Sequence, residues 1–239
     1  MNATIIKEAG ITTASITAAS SIPVIAIDGP SASGKGSVAQ LVASALGFRY
    51  LDSGALYRLV ALATQQANIA WHDAIAVTAC AKTLNISFAG EQVFLNNAEV
   101  SALIRSEAMG KGASEVAVHA PLRAALLAIQ HNFRQPPGLV ADGRDMGTVI
   151  FTDAVLKVFL TASTEVRATR RYQQLLSKNL PADYADILRD LQQRDARDQG
   201  RASAPLVMAA DAILLETDDL SIAAAVEIIL NNYLQKMVK

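Results

Sequence analysis

Residues 22 to 47, "IPVIAIDGPSASGKGSVAQLVASALG", limit what this 239-residue chain can fold into more than any other stretch. The apolar run "IPVIAID" reads as a buried strand. Val38, Leu41, Val42, Ala45 and Leu46 then mark one face of a helix that Gly47 closes. Between them lies a Gly/Ser-rich loop, and a strand that feeds a helix through such a loop belongs to a parallel sheet with right-handed crossovers. Gly29 and Gly34 allow backbone N–H groups to turn inward, while the helix N-terminus contributes the positive end of its dipole. Gly29, Pro30, Ser31, Ala32, Ser33, Gly34, Lys35, Gly36 and Ser37 therefore form a candidate cradle for nucleotide phosphates. In it Lys35 reaches the phosphates being cleaved, and the Ser37 hydroxyl lies near a magnesium ion or those phosphates. The usual pattern G-x-x-x-x-G-K-[ST] has its hydroxyl residue directly after the lysine; here Gly36 stands there and Ser37 follows one place late. A ligand-free turn is the alternative, and the strand before and helix after the loop weigh against it.

Beyond the loop the same alternation continues. "FRYL" (48–51), "GLVADG" (138–143), "LKVFLT" (156–161) and "AILLET" (212–217) read as strands separated by helical stretches. Asp52 or Ser53 can cap the helix that carries Leu56, Leu59, Val60 and Ala63 inward. The fold class expected is α/β, a five-stranded parallel sheet with helices on both faces. Residues 84–104 break the rhythm: they alternate with period two around "AGEQ" and "NNAE" turns, the pattern of a small antiparallel meander. Helices near 105–118 and from Pro121 follow, so residues 67–135 are expected to form an inserted subdomain ending at "QPPG".

Composition narrows the partners. Hydrophobic residues make up 51% and charged residues 18%, enough apolar material for a proper core. With 21 basic and 22 acidic residues, net charge gives no argument for nucleic acid or membrane. Anion binding must then rely on locally gathered arginines. Cys80 is alone, so no internal disulfide forms, and a reducing cytoplasm is the expected location. Residues 1–21 have no continuous apolar core of signal-peptide length; without arginine and with Glu8 they do not resemble a transit peptide either. They read as a mobile tail ahead of the main domain, 22–239.

Several polar residues sit where a second anion site would lie. Arg58 follows the turn that bears Asp52 and Ser53, and Arg144 and Asp145 follow the third strand, all at strand C-termini beside the loop. Asp142 ends that third strand, where a phosphate-loop protein keeps the acid that holds magnesium directly or through water; a turn aspartate is the alternative. "RDARDQGR" places Arg194, Arg197 and Arg201 at helical spacings of three and four, with Asp195 and Asp198 as a neighbouring stripe. Such a run is ordinarily a solvated, salt-bridged face, but the same arginines would serve a migrating phosphoryl group. Arg167, Arg170 and Arg171 form a second basic stripe. His72, His119, His131, Trp71 and Cys80 receive no functional role.

Together, "GPSASGKGS", "LDSGALYR" (51–58), "ADGRDMGTVIF" (141–151) and "RDARDQGRASAPL" (194–206), with the meander between them, resemble the bacterial cytidylate kinase family of nucleoside monophosphate kinases from residue 22 to the end. The resemblance implies a P-loop kinase fold with an inserted nucleotide-binding subdomain and a short lid at about 172–203. It implies transfer of the terminal phosphate of ATP to CMP or dCMP, with Mg²⁺ as cofactor; a monomer is the expected working form. Ser114, Arg123 and Asp145 would read the cytosine, Ser53 would contact the nucleotide, and Arg144, Arg194 and Arg201 would serve the acceptor phosphate or the transfer. From the residues alone, Ser114 reads as a helix-surface serine and Arg123 as a solvated arginine. Two rivals stay open at this point: the same fold with another acceptor, such as another nucleoside monophosphate or shikimate, and a nucleotide-dependent switch or ATPase. Against the switch, the chain has no N-K-x-D motif.

Overall fold

A computed structural model describes residues 4–5, 22–89 and 92–238. Two compact units are present, one containing Ser53–Ile129, the other Ser21–Asp52 with Gln130–Lys239.

The second unit is built on a five-stranded parallel sheet of β2 (Val24–Asp28), β3 (Arg49–Asp52), β7 (Leu139–Gly143), β8 (Leu156–Thr161) and β9 (Ile213–Glu216), in the order β3-β7-β2-β8-β9. Position explains composition. Central β2 and β7 are buried at every residue and read as apolar runs, whereas edge strands β3 and β9 keep exposed positions. Helices α1 (Lys35–Leu46) and α9 (Ile222–Met237) pack on each other. They share a core with the sheet that includes Ile25, Ile27, Val38, Val42, Val140, Val158, Leu160, Ile229 and Tyr233. After β7 the chain makes a π-helical turn, Met146–Ile150, before β8. Helices α7 (Thr164–Ser177) and α8 (Tyr184–Gln199) follow β8 and pack together. The α/β fold with a five-stranded parallel sheet is the one the strand–helix alternation implies.

In the first unit, α2 (Ser53–Gln66), α3 (Ala74–Lys82), α4 (Ser101–Ile104) and α5 (Glu107–Val116) accompany a small antiparallel sheet. Its strands are β1 (Thr4–Ile5), β4 (Ile86–Ala89), β5 (Gln92–Leu95) and β6 (Ala98–Glu99), ordered β1-β4-β5-β6. Asn96 and Asn97 turn between β5 and β6 with φ of 51° and 67°, the left-handed pair that the "NNAE" reading requires. The "AGEQ" turn includes Gly90 and Glu91, outside the described residues. Of the expected tail, Thr4–Ile5 pair antiparallel with Phe88 and Ser87, and the remainder through residue 21 lies outside the described residues.

Three boundaries differ from the sequence expectations. This unit takes in α2 and therefore starts at Ser53 rather than 67, because α2 packs along α5. A short α4 replaces the end of the meander. Finally, α6 (Ala120–Asn132) begins one residue before Pro121.

Candidate functional site

The cradle between β2 and α1 is held from several sides. Gly29 leaves no room for a side chain: a Cβ there would lie 1.9 Å from the Leu160 carbonyl oxygen of β8. Gly34 caps α1 in the left-handed region, φ 91°. Ser33 Oγ donates to the Pro30 carbonyl at 3.0 Å, and Lys35 Nζ donates to the same oxygen at 3.2 Å. Arg167 Nη1 donates to the Ser31 carbonyl at 3.2 Å, while Arg170 Nη1 and Thr217 Oγ1 donate to that of Ser33 at 3.5 and 3.3 Å. The second basic stripe thus holds the loop's backbone through Arg167 and Arg170. Arg171 instead bonds Gln174 one turn along its own helix.

Lys35 Nζ stands 3.7 Å from Asp142 Oδ1, and both side chains are buried. Burial lowers the lysine and raises the aspartate, outweighing their mutual attraction at this separation. Tyr50 Oη donates to Asp142 Oδ2 at 3.3 Å; Oδ1 is buried with no hydrogen-bond partner. Gly36 now has a steric reason. A Cβ at that position would lie 3.2 Å from Asp142 Oδ2 and 3.7 Å from Tyr50 Oη, so the carboxylate would have to give by a few tenths of an ångström. Asp52 pairs in register with Asp142 at the end of the neighbouring strand and is exposed. Ser37, in the first turn of α1, is exposed too.

Arg144 leaves β7 and reaches three partners. Its Nε donates to Asp198 Oδ2 at 2.8 Å, Nη2 to Ser31 Oγ at 2.8 Å and Nη1 to the Gly143 carbonyl at 3.1 Å. Arg201 pairs with the other Asp198 oxygen. Asp198 is 1% exposed; burial alone would raise its carboxyl, but the Arg144, Arg201 and Arg194 charges prevail and hold it at about 2. Sequence reasoning put this aspartate on a solvated stripe, and it is instead the buried counter-ion that gathers the arginines. Asp195 likewise turns inward, to Arg167 Nη1 and Nη2 at 3.2 and 2.6 Å. Helix α8 stops at Gln199, with the Gly200 N–H bonded to the Ala196 carbonyl. Arg201 therefore lies beyond the helix rather than on one face with Arg194 and Arg197. Arg197 Nε donates along its own helix to the Gln193 carbonyl at 3.4 Å. Asp145, at the start of the π-helical turn, is 3% exposed.

In the other unit Arg58 Nη1 donates to the Ile104 and Ser106 carbonyls at 2.8 and 3.3 Å, tying α2 to the α4–α5 junction. Arg123 Nη1 donates to the Ala117 carbonyl at 3.3 Å, and its guanidinium lies 5.6 Å from the Tyr57 ring centroid. Arg123 is 8% exposed and Ser114 3%, so neither is the solvated residue its helical position suggests. Ser114 Oγ is buried without a hydrogen-bond partner, a feature it shares with several other described side chains and one that leaves no trace in sequence. Ser53 opens α2 and is buried. Trp71 packs over Gly112 and donates to the Ala61 carbonyl; His119 and His131 bond the Trp71 and Ile150 carbonyls, so these residues serve the packing.

Among the described residues no cluster of three His, Cys, Asp or Glu side chains would hold a metal, and no helix is long and apolar enough to cross a membrane. The family model described as cytidylate kinase matches residues 25–235. A cytidylate kinase of Polynucleobacter asymbioticus is 57% identical over 214 residues, 90% of this chain and 97% of that protein. One from Paraburkholderia phymatum is 59% identical over 88% of this chain and 92% of its own length. Another, from Cupriavidus necator, is 58% identical over 86% and 92%.

Proposed function

The chain belongs to the cytidylate kinase family, and on that premise we propose that it moves the terminal phosphate of ATP onto CMP or dCMP, giving ADP and CDP or dCDP. The observation that carries the proposal is the family match over residues 25–235, which spans the cradle, the Arg144–Asp145 turn and the arginine cluster in one stretch. No covalent intermediate is required. Transfer rests on in-line positioning and neutralisation of charge spread over the phosphoryl oxygens.

In this reading Gly29 to Ser37 hold the ATP phosphates, with Lys35 on the group being moved. Arg144, Arg194 and Arg201 meet the acceptor phosphate and the migrating group. Asp198 supports them by fixing Arg144 and Arg201 on its two oxygens. Asp52 and Arg58 lie on the acceptor side. Ser53, Ser114, Arg123 and Asp145 read the pyrimidine nucleotide: a carboxylate accepts from the exocyclic amine of cytosine and would meet a carbonyl in uracil. Asp142 fits Mg²⁺, since its Oδ1 is a buried carboxylate oxygen with no hydrogen-bond partner, the donor type a hard cation takes. Ser37 would add a hydroxyl, directly or through water. Mg²⁺ so held supplies charge neutralisation at the phosphates. A lid at about 172–203 and a nucleotide-binding subdomain built on Ser53–Ile129 would close to exclude water. The partners are small nucleotides, and the working form is a cytoplasmic monomer.

A coupled ADP-release assay with CMP, dCMP, UMP, AMP and GMP tests the proposal. Turnover should be fastest with CMP or dCMP and slight without an acceptor. Equal rates for all five acceptors, or ATP consumption independent of them, would overturn it.

A further inference from the structure

Asp28 ends β2 one residue before the cradle and is 5% exposed. Sequence reasoning gave it no role beyond closing a strand. Its two carboxylate oxygens accept from consecutive backbone N–H groups, Met146 at 2.8 Å and Gly147 at 2.8 Å. These belong to the first residues of the π-helical turn, where N–H groups find no acceptor within the helix. Register explains the reach: Asp28 lies opposite Gly143, the last residue of β7, and the chain turns back tightly there. A Cβ on Gly143 would lie 2.8 Å from Met146 Cγ.

Asp145 occupies the cap position of that turn, yet its side chain makes no capping bond. Aspartate is among the best N-cap residues because its carboxylate accepts from the N–H groups that follow it. Here that work is done by a carboxylate from the adjacent strand. We propose that Asp28 caps the π-helical turn from β2, and so keeps the Asp145 carboxylate turned to the acceptor base instead of to its own backbone. Asp28 is then a positioning residue for specificity. This rests on the reading of Asp145 as a base-recognition residue. The cradle itself has other anchors, the Arg167, Arg170 and Thr217 bonds to Ser31 and Ser33, so the effect of Asp28 should fall on the acceptor.

The test uses full-length Asp28→Ala, Asp28→Asn, Asp145→Ala and the Asp28→Ala/Asp145→Ala double variant. For each, kcat and KM are measured with CMP and with UMP, with KM for ATP and a thermal midpoint alongside. Asp28→Ala should lower the CMP-over-UMP preference about tenfold, the scale of one hydrogen bond to a charged group, with KM for ATP within about twofold. Asp28→Asn keeps one acceptor oxygen and should show a smaller loss in the same direction. The double variant should discriminate no worse than Asp145→Ala, because both changes remove one contact. A purely structural role predicts additive losses and parallel shifts in the CMP and ATP constants, and that outcome overturns the proposal. Should Asp28→Ala fail to fold, Asp28→Asn decides: wild-type discrimination there, with discrimination lost in Asp145→Ala, refutes the role of Asp28. Wild-type discrimination in Asp145→Ala refutes the reading of Asp145 itself.

Discussion

The two compact units differ in the contacts that hold their candidate residues. In the sheet unit, charge is matched by charge: Lys35 with Asp142, Arg144 and Arg201 with Asp198, Arg167 with Asp195. In the helical unit, Arg58 and Arg123 donate to backbone carbonyls, Arg123 lies against an aromatic ring, and Ser114 is buried on α5. A network of opposed charges presets a field for an anion, as phosphoryl transfer demands. A few buried polar groups on packed helices preset a shape and a hydrogen-bond pattern, as choice of a base demands. The comparison implies that substitutions in the charge network, at Lys35, Asp142, Arg144, Asp198 or Arg201, lower turnover for every acceptor, whereas those at Ser114 and Arg123 change which acceptor is preferred.

The largest effect expected is that of Lys35→Met. With its ammonium removed from the transferring group, kcat should fall about 10²–10³-fold for CMP and UMP alike, the range for loss of one transition-state donor. Steady-state kinetics with both acceptors checks this. A selective loss with CMP alone would break the comparison.

The same contrast accounts for what the sequence discloses. The cradle is legible because its backbone path requires glycine at named places, against Leu160 at Gly29 and in the left-handed region at Gly34. Central strands are legible because burial on both faces leaves them apolar throughout. Asp198 was misread as solvated because helical spacing records which face a residue occupies, not what packs on that face. Ser114 and Arg123 carry no local requirement at all. Any helix accepts a serine or an arginine, so their burial is decided by tertiary packing and their roles enter only by resemblance. Asp28 is silent for a related reason: its partners, Met146 and Gly147, lie 118 and 119 residues away.

Of intermediate size is the effect of Arg123→Ala. Losing one charged donor in a buried site should reduce kcat/KM for CMP about 10- to 100-fold relative to UMP, while kcat at saturating acceptor changes little. An equal fall for both acceptors would assign Arg123 to the charge network and erase the distinction between the units.

The smallest effect, and the sharpest, is that of Gly36→Ala. Glycine in the first turn of α1 costs helix stability, so alanine should raise the thermal midpoint, by at most about 1 kcal/mol of stability. Its Cβ, though, would lie 3.2 Å from Asp142 Oδ2, and that carboxylate is tethered by Tyr50 at 3.3 Å. The carboxylate must move by a few tenths of an ångström. Because placement errors of about 1 Å cost about a hundredfold, a shift of this size should cost turnover only about two- to fivefold. The loss should appear in kcat with CMP and UMP alike, as it should for any change in the charge network around Lys35 and Asp142. Calorimetry and kinetics on one variant therefore read the two terms separately. A gain in stability with unchanged kcat would mean that the position of Asp142 does not limit transfer, and that Gly36 serves only the packing of the loop.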